Sequence, residues 1–314
     1  MRPIWICGHR KCGTTLLTNL LDDHKDLVNY GSDFRLVYAM YNGYDSYGSE
    51  SDLKDRFWRI VSDDRAGDET INRSYIEEIV DGLNFSDRNV VWDYISKVAS
   101  KISSTHRGKR IFIKETSSEL YLDSITKSCQ PQYVYLSRDP RDNWAAIRAG
   151  IDTYYKKLGE NHLESLASLL NRVMLGFNAY HRYINSPNFQ SSDMTALKFE
   201  DLTSAPRVTM ERLCAALNIK FLETLCYPTR NGVFYSGNSH DQIKFKGVSN
   251  NSVGKYIERV PRQEIALIEA LCEPMMASFG YELITSSFEQ STALEDFYAF
   301  YNQRYFFYDK YSSK

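Results

Sequence analysis

The chain has 314 residues, 43% of them hydrophobic and 25% charged, which is ordinary globular composition and excludes disordered or fibrous chains. A formal charge of −2, with no dense Lys/Arg run, gives no field for gripping a nucleic-acid backbone. No stretch approaches ~18 uninterrupted apolar residues, and residues 1–7 are too short for a signal-peptide core, so no integral membrane association and a cytoplasmic protein are expected. Six cysteines lie scattered without CxxC pairs or zinc-ligand spacing and read as reduced thiols, so no metal is expected.

In chain order, residues 3–7 form a short apolar run that predicts a buried strand stopping at Gly8. A helix is expected over 13–24, with Leu16, Leu17, Leu20 and Leu21 on one face and Asp22 and Asp23 left to solvent. Residues 33–108 form a long insertion rich in charge and aromatics, helical around 89–102, of a size that often shapes a substrate site. Within it Tyr38, Tyr41, Tyr44 and Tyr47 recur every three residues, a spacing that serves packing or a sugar-stacking platform.

Buried strands are predicted at 110–114 and 132–137, and a fourth at 194–199 ahead of a helix with Pro206 in its first turn. A last helix is expected over 262–279, kinked at Pro274 and stopped by Gly280. Strand and helix alternation implies an α/β fold with a central parallel sheet flanked by helices. One domain over 1–290 is expected, followed by an aromatic tail over 291–314 that docks on the body, a partner or an amphiphilic acceptor.

The segment Gly8-His9-Arg10-Lys11-Cys12-Gly13-Thr14-Thr15 has the GxxxxG frame of a P-loop between strand and helix. Turn N–H groups and the positive end of the helix dipole converge there on an anion. Walker kinases place Lys directly after the second glycine; here Thr14 holds that position and the cation is Lys11. A sulfuryl group carries less charge than a terminal phosphoryl group and needs no magnesium bridge. A P-loop nucleotide-dependent kinase is therefore the second reading. Cys12 sits where a helix N-terminus can lower a thiol pKa, which keeps a reactive role open.

Lys11-Cys12-Gly13-Thr14-Thr15, followed by Leu16-Leu17 and Leu20-Leu21-Asp22-Asp23-His24, resembles the 5'-phosphosulfate loop of sulfotransferases that use 3'-phosphoadenosine 5'-phosphosulfate (PAPS). In those loops a small hydroxyl residue usually stands where this chain has Cys12. Residues 133–146, with Arg138-Asp139-Pro140-Arg141-Asp142 at a strand end, resemble the family's 3'-phosphate motif, and an arginine fork there suits a dianionic phosphate. The serine common eight residues after that arginine is Ala146 here, and Arg141, Arg148 or a backbone donor would have to replace it. Leu197-Lys198-Phe199-Glu200-Asp201-Leu202, Ser252-Val253-Gly254-Lys255-Tyr256 and Phe279-Gly280-Tyr281 extend the likeness along the chain.

The resemblance implies PAPS as donor and no metal, with Arg10, Lys11, Cys12, Gly13, Thr14, Thr15, Arg138, Arg141 and Lys255 binding it. Lys11 and Lys114 are the catalytic cations, although Lys114 would also suit a solvated strand end. Residues 29–35 resemble the tyrosyl-protein and carbohydrate types, in which a carboxylate then Arg follows this turn; Asp33 matches the carboxylate, and Glu115 is the second candidate base. Asp33 would equally N-cap a helix starting at Phe34. The implied acceptor is a hydroxyl on a saccharide, peptide or small metabolite. Of the six histidines, His9 alone lies in the loop, and none sits in a catalytic or metal pattern.

Overall fold

In the computed structural model, short strands with no polar face pair into a parallel sheet, as their composition requires when both faces are covered. The structure describes residues 2–30, 34, 36–41, 49–62, 73–87, 89–105, 108–150, 162–237 and 244–305. The chain runs through β1 (Ile4–Cys7), α1 (Thr14–Leu21), β2 (Leu27–Asn29), α2 (Leu36–Tyr41), α3 (Glu50–Val61), α4 (Arg73–Asp81) and α5 (Val90–Thr105). It continues through β3 (Arg110–Lys114), α6 (Leu122–Cys129), β4 (Gln132–Ser137), α7 (Pro140–Gly150), α8 (His162–Ile184), β5 (Met194–Lys198), α9 (Phe199–Ser204) and α10 (Pro206–Leu217). A small hairpin of β6 (Thr229–Arg230) and β7 (Val233–Phe234) precedes α11 (Tyr256–Arg259), α12 (Arg262–Phe279) and α13 (Ser287–Tyr305).

Two compact units result, one of Met1–Arg138 with Leu175–Asn250 and one of Asp139–Met174 with Asn251–Lys314. The first holds the five-stranded sheet in the order β2-β3-β1-β4-β5. Its pairs are all parallel, with β1 central: Ile4 lies opposite Phe112 on β3 and Gln132 on β4. Ile4 and Ile6 point to one face, where they meet Leu17, Leu20 and Leu21 of α1, Val134 and Leu136 of β4, and Met210 and Leu213 of α10. On the other face Tyr135 stacks on Tyr180 at 4.5 Å and Trp5 donates to Ser118 Oγ at 2.8 Å.

β2 is an edge strand that apolar runs do not announce, because it is three residues long. The 33–108 segment therefore joins β2 to β3. Helix α1 also ends at Leu21, short of His24. Asp22 is not left to solvent: it accepts from Asn29 Nδ2 at 2.9 Å and from Thr229 Oγ1 and the Gly232 N–H at 3.2 Å, tying α1 to β2 and the hairpin.

The second unit is helical and built around buried charge. Asp139 caps α7 by accepting the Arg141 N–H at 2.9 Å, and Pro140 fits the first helical position because it has no N–H to leave orphaned. Helix α12 spans 262–279 with Pro274 inside and ends on Gly280, whose φ of 68° directs its N–H to the Ala277 and Met276 carbonyls. Helix α13 crosses position 290, so the first part of the aromatic tail is helix; Ala293 is buried and Gln263 donates to Asp296 at 2.6 Å. Positions 306–314 lie outside the described residues. Among the described residues no helix is long and apolar enough to cross a membrane.

Candidate functional site

Two glycines bound the loop between β1 and α1, and both are required by what surrounds them. At Gly8, φ is 148° and a Cβ would sit 2.3 Å from the Leu136 carbonyl oxygen. At Gly13, φ is 101° and a Cβ would sit 2.3 Å from the Phe199 ring. Between them Lys11 holds a left-handed φ of 66°, a strained conformation for a residue with a side chain. That turn presents the Lys11 carbonyl to Arg138 Nη1 at 3.0 Å. Gly13 has no side chain to cap α1, and the Thr14 N–H donates to the Cys12 sulfur.

The loop is pinned by groups in the turn that follows β3. The Gly8 carbonyl accepts from the Ser117 N–H at 2.9 Å, and the Gly8 N–H donates to Glu119 Oε2 at 3.0 Å. Glu119 is 1% exposed and lies against Gly176 of α8, where an added Cβ would come within 2.7 Å of its Oε1. Nothing in the sequence marks Glu119 as a partner of Gly8, since 111 positions separate them.

Four cations belong to this setting. Arg138, 5% exposed at the end of β4, stacks on the Phe199 ring at 4.5 Å. Lys114 at the end of β3 is 4% exposed and close enough to influence the Cys12 thiol, so it is not a solvated strand end. Lys11 has its pKa pushed down to about 8, first by burial and then by the charges of Arg138 and Arg10. Burial and neighbouring positive charge both work against the protonated form of Lys11. His9 is pushed down to about 4 by burial, with Arg138 adding to the effect, so it is neutral near pH 7.

Cys12 is a reduced core thiol, as the scattered cysteines led us to expect. Its side chain is fully buried in the apolar cluster, and burial followed by Glu119 pushes the thiol up to about 12, which removes the reactive reading. Its N–H donates to the His9 carbonyl at 3.2 Å, so Cys12 spends its backbone donor inside the turn.

Arg141 is likewise engaged elsewhere. It is 3% exposed, and its guanidinium bonds Asp139 at 2.6 Å, Glu269 at 2.5 Å and the Glu282 carbonyl at 2.8 Å while lying over the Tyr256 ring at 4.3 Å. Burial alone would lower its pKa, but the two carboxylates outweigh that and raise it. Arg148 pairs with Glu264 at 2.8 Å. Both arginines hold the second unit together, and the shortfall at Ala146 is not made up by a visibly available Arg141. Lys255 is partly exposed and lies 3.3 Å from Glu258.

Asp33 and Arg35 lie outside the described residues, as do Tyr44 and Tyr47. Glu115 is 1% exposed and its Oε2 accepts the Val37 N–H at 3.1 Å, at the start of α2. The sequence also undervalued Phe199: as the aromatic directly after β5 it supports Arg138 and is the surface that requires glycine at 13.

A family model described as "Sulfotransferase family" matches residues 3–223, the whole stretch from β1 to the turn after α10. The chain belongs to the sulfotransferase family. Solved structures agree on the fold. The sulfotransferase domain from the curacin biosynthetic pathway is 15% identical with a TM-score of 0.60, over 90% of this chain and 98% of that one. The sulfotransferase domain from the Synechococcus PCC 7002 olefin synthase is 15% identical with a TM-score of 0.58, over 90% and 95%. Sulfotransferase STF9 from Mycobacterium avium is 12% identical with a TM-score of 0.52, over 91% and 78%. As a sulfotransferase the protein is a transferase with a P-loop-type α/β fold, and the kinase reading is not favoured.

Proposed function

We propose that the protein moves a sulfuryl group from PAPS to a hydroxyl acceptor, a saccharide or peptide tyrosine hydroxyl before others, by in-line displacement. The observation that carries this reading is the cation set of Arg10, Lys11, Lys114 and Arg138 around a loop whose Walker position is Thr14. The glycine cradle at 8 and 13 admits close backbone approach, which a phosphosulfate group requires.

In this reading Arg138, stacked on Phe199, binds the 3'-phosphate. Lys11 and Lys114 neutralise the charge that grows on the 5'-phosphate oxygen as its bond to sulfur breaks. The N–H groups of Gly13, Thr14 and Thr15, with the two threonine hydroxyls, hold the transferring oxygens in line. Asp33 takes the proton of the acceptor hydroxyl as its oxygen bonds to sulfur, leaving adenosine 3',5'-bisphosphate. Lys255 caps the nucleotide. Glu115 is the weaker candidate base, because its carboxylate is already bound to the Val37 N–H.

The test is transfer of sulfur label from the donor to a panel of glycans and tyrosine peptides without added metal. Label on a hydroxyl, lost by ~10²-fold or more in Asp33→Asn while bisphosphate affinity is retained, supports the reading. Full activity in Asp33→Asn would remove Asp33 as the base. Absence of transfer to every hydroxyl would overturn the reading.

A further inference from the structure

The second half of the Arg138–Asp142 motif has a task that its charge disguises. Asp142 is 1% exposed in α7, and its two carboxylate oxygens accept from two different N–H groups: Oδ2 from Gly254 at 2.6 Å and Oδ1 from Tyr256 at 3.0 Å. Those two amides flank Lys255 on either side. Gly254 takes a φ of 75°, which a side chain would resist, and Tyr256 packs its ring beneath the Arg141 guanidinium at 4.3 Å. Arg141 is in turn held by Asp139 and Glu269, so the residue that follows Lys255 packs against an anchored guanidinium.

We infer that Asp142 is a positioning residue for Lys255, a clamp that fixes the backbone on both sides of the lysine so that its side chain is presented to the donor nucleotide. The inference rests on the reading of Lys255 as a donor ligand. Backbone amides can be bridged this way only by a group with two acceptor oxygens. A lysine side chain on its own carries rotamer freedom that must be lost on binding, and a fixed backbone reduces the remaining disorder. The ion pair of Lys255 with Glu258 is at the surface and weak enough to exchange for a phosphate.

Asp142→Asn keeps the size and one acceptor oxygen but turns an amide N–H₂ toward the other backbone N–H. The expected result is a ~10-fold weaker Kd for adenosine 3',5'-bisphosphate and a matching rise in donor KM, with the loss in KM and not in kcat. Lys255→Ala should produce a similar loss, and the double variant no more than either alone. Additive losses would overturn the clamp while leaving Lys255 as a ligand. No loss in Lys255→Ala would overturn the proposal at its base, by removing Lys255 from the donor site. Hydrogen exchange separates positioning from misfolding: faster exchange at Gly254 and Tyr256, with the α12 amides still protected, supports the clamp. Unchanged exchange at both amides in Asp142→Asn would overturn it.

Discussion

Raising the pH should make ligand binding at the loop take up protons, because Lys11 is partly deprotonated when no anion is present. Its pKa of about 8 is set by burial and by the charges of Arg138 and Arg10. A bisphosphate placed among these groups cancels that repulsion and moves the lysine back toward its ordinary value of 10.5. The sign follows from linkage: binding is strongest below pH 8, where Lys11 already carries its proton, and weakens as pH rises through 8 toward the bound value. With full recovery of the ordinary value, uptake is about 0.1 proton at pH 7, about 0.5 at pH 8 and about 0.9 at pH 9. The corresponding ceiling on lost affinity is ~300-fold across the whole range, at ~1.36 kcal/mol per tenfold.

Two neighbouring groups leave that window clear. His9 titrates at about 4 and Cys12 at about 12, and a phosphate monoester with its second pKa near ~6 is already a dianion. Isothermal titration calorimetry of adenosine 3',5'-bisphosphate in buffers of different ionisation enthalpy reads the uptake directly. Lys11→Met should abolish it, and Arg138→Ala should shift it to higher pH by relieving one of the two repelling charges. Equal uptake in Lys11→Met, or none at pH 8 to 9 in the unaltered protein, would refute the reasoning.

Gly13→Ala combines a positive φ with a Cβ pressed into Phe199, so a loss of ~2 kcal/mol or more in urea unfolding is expected, along with lost bisphosphate binding. Glu119→Ala strands the buried Gly8 N–H at a cost of ~1–3 kcal/mol and should raise donor KM; Glu119→Gln, which keeps an acceptor, should recover most of both. Glu269→Ala leaves Arg141 buried with one carboxylate fewer, and ~3–5 kcal/mol of destabilisation in chemical denaturation is expected with Asp139 and the Glu282 carbonyl still in place. A change below ~1 kcal/mol there would mean that Arg141 is not held as described.

The sheet was legible because its central strands are unbroken apolar runs ended by glycine or charge, and the loop because its glycines and threonines sit at fixed spacing. β2 was not legible, since three residues cannot show a period. Charge proved the poorest guide. Arg138 and Arg141 are three positions apart in one motif and look alike as phosphate ligands, yet the first meets the loop and the second is enclosed by Asp139 and Glu269. Asp139 is two positions from Arg141 and was in view, but Glu269 and the Lys11 carbonyl, which complete the two settings, lie more than a hundred positions from their arginines, and local pattern does not carry them. The same distance hid Glu119 under Gly8 and Asp142 under Lys255. Of the two readings of Cys12, the core thiol holds: its place at a helix start allowed a lowered pKa, and its burial in the apolar cluster overrides that.

The central claim is that the loop and Arg138 form a donor site for a 3',5'-bisphosphate nucleotide, and thermal unfolding tests it most directly. Adenosine 3',5'-bisphosphate without metal, at ~100 times its Kd, should add about 2.7 kcal/mol of stability, and Arg138→Ala should remove most of that gain. Stabilisation by ATP with magnesium and none by the bisphosphate would contradict the account.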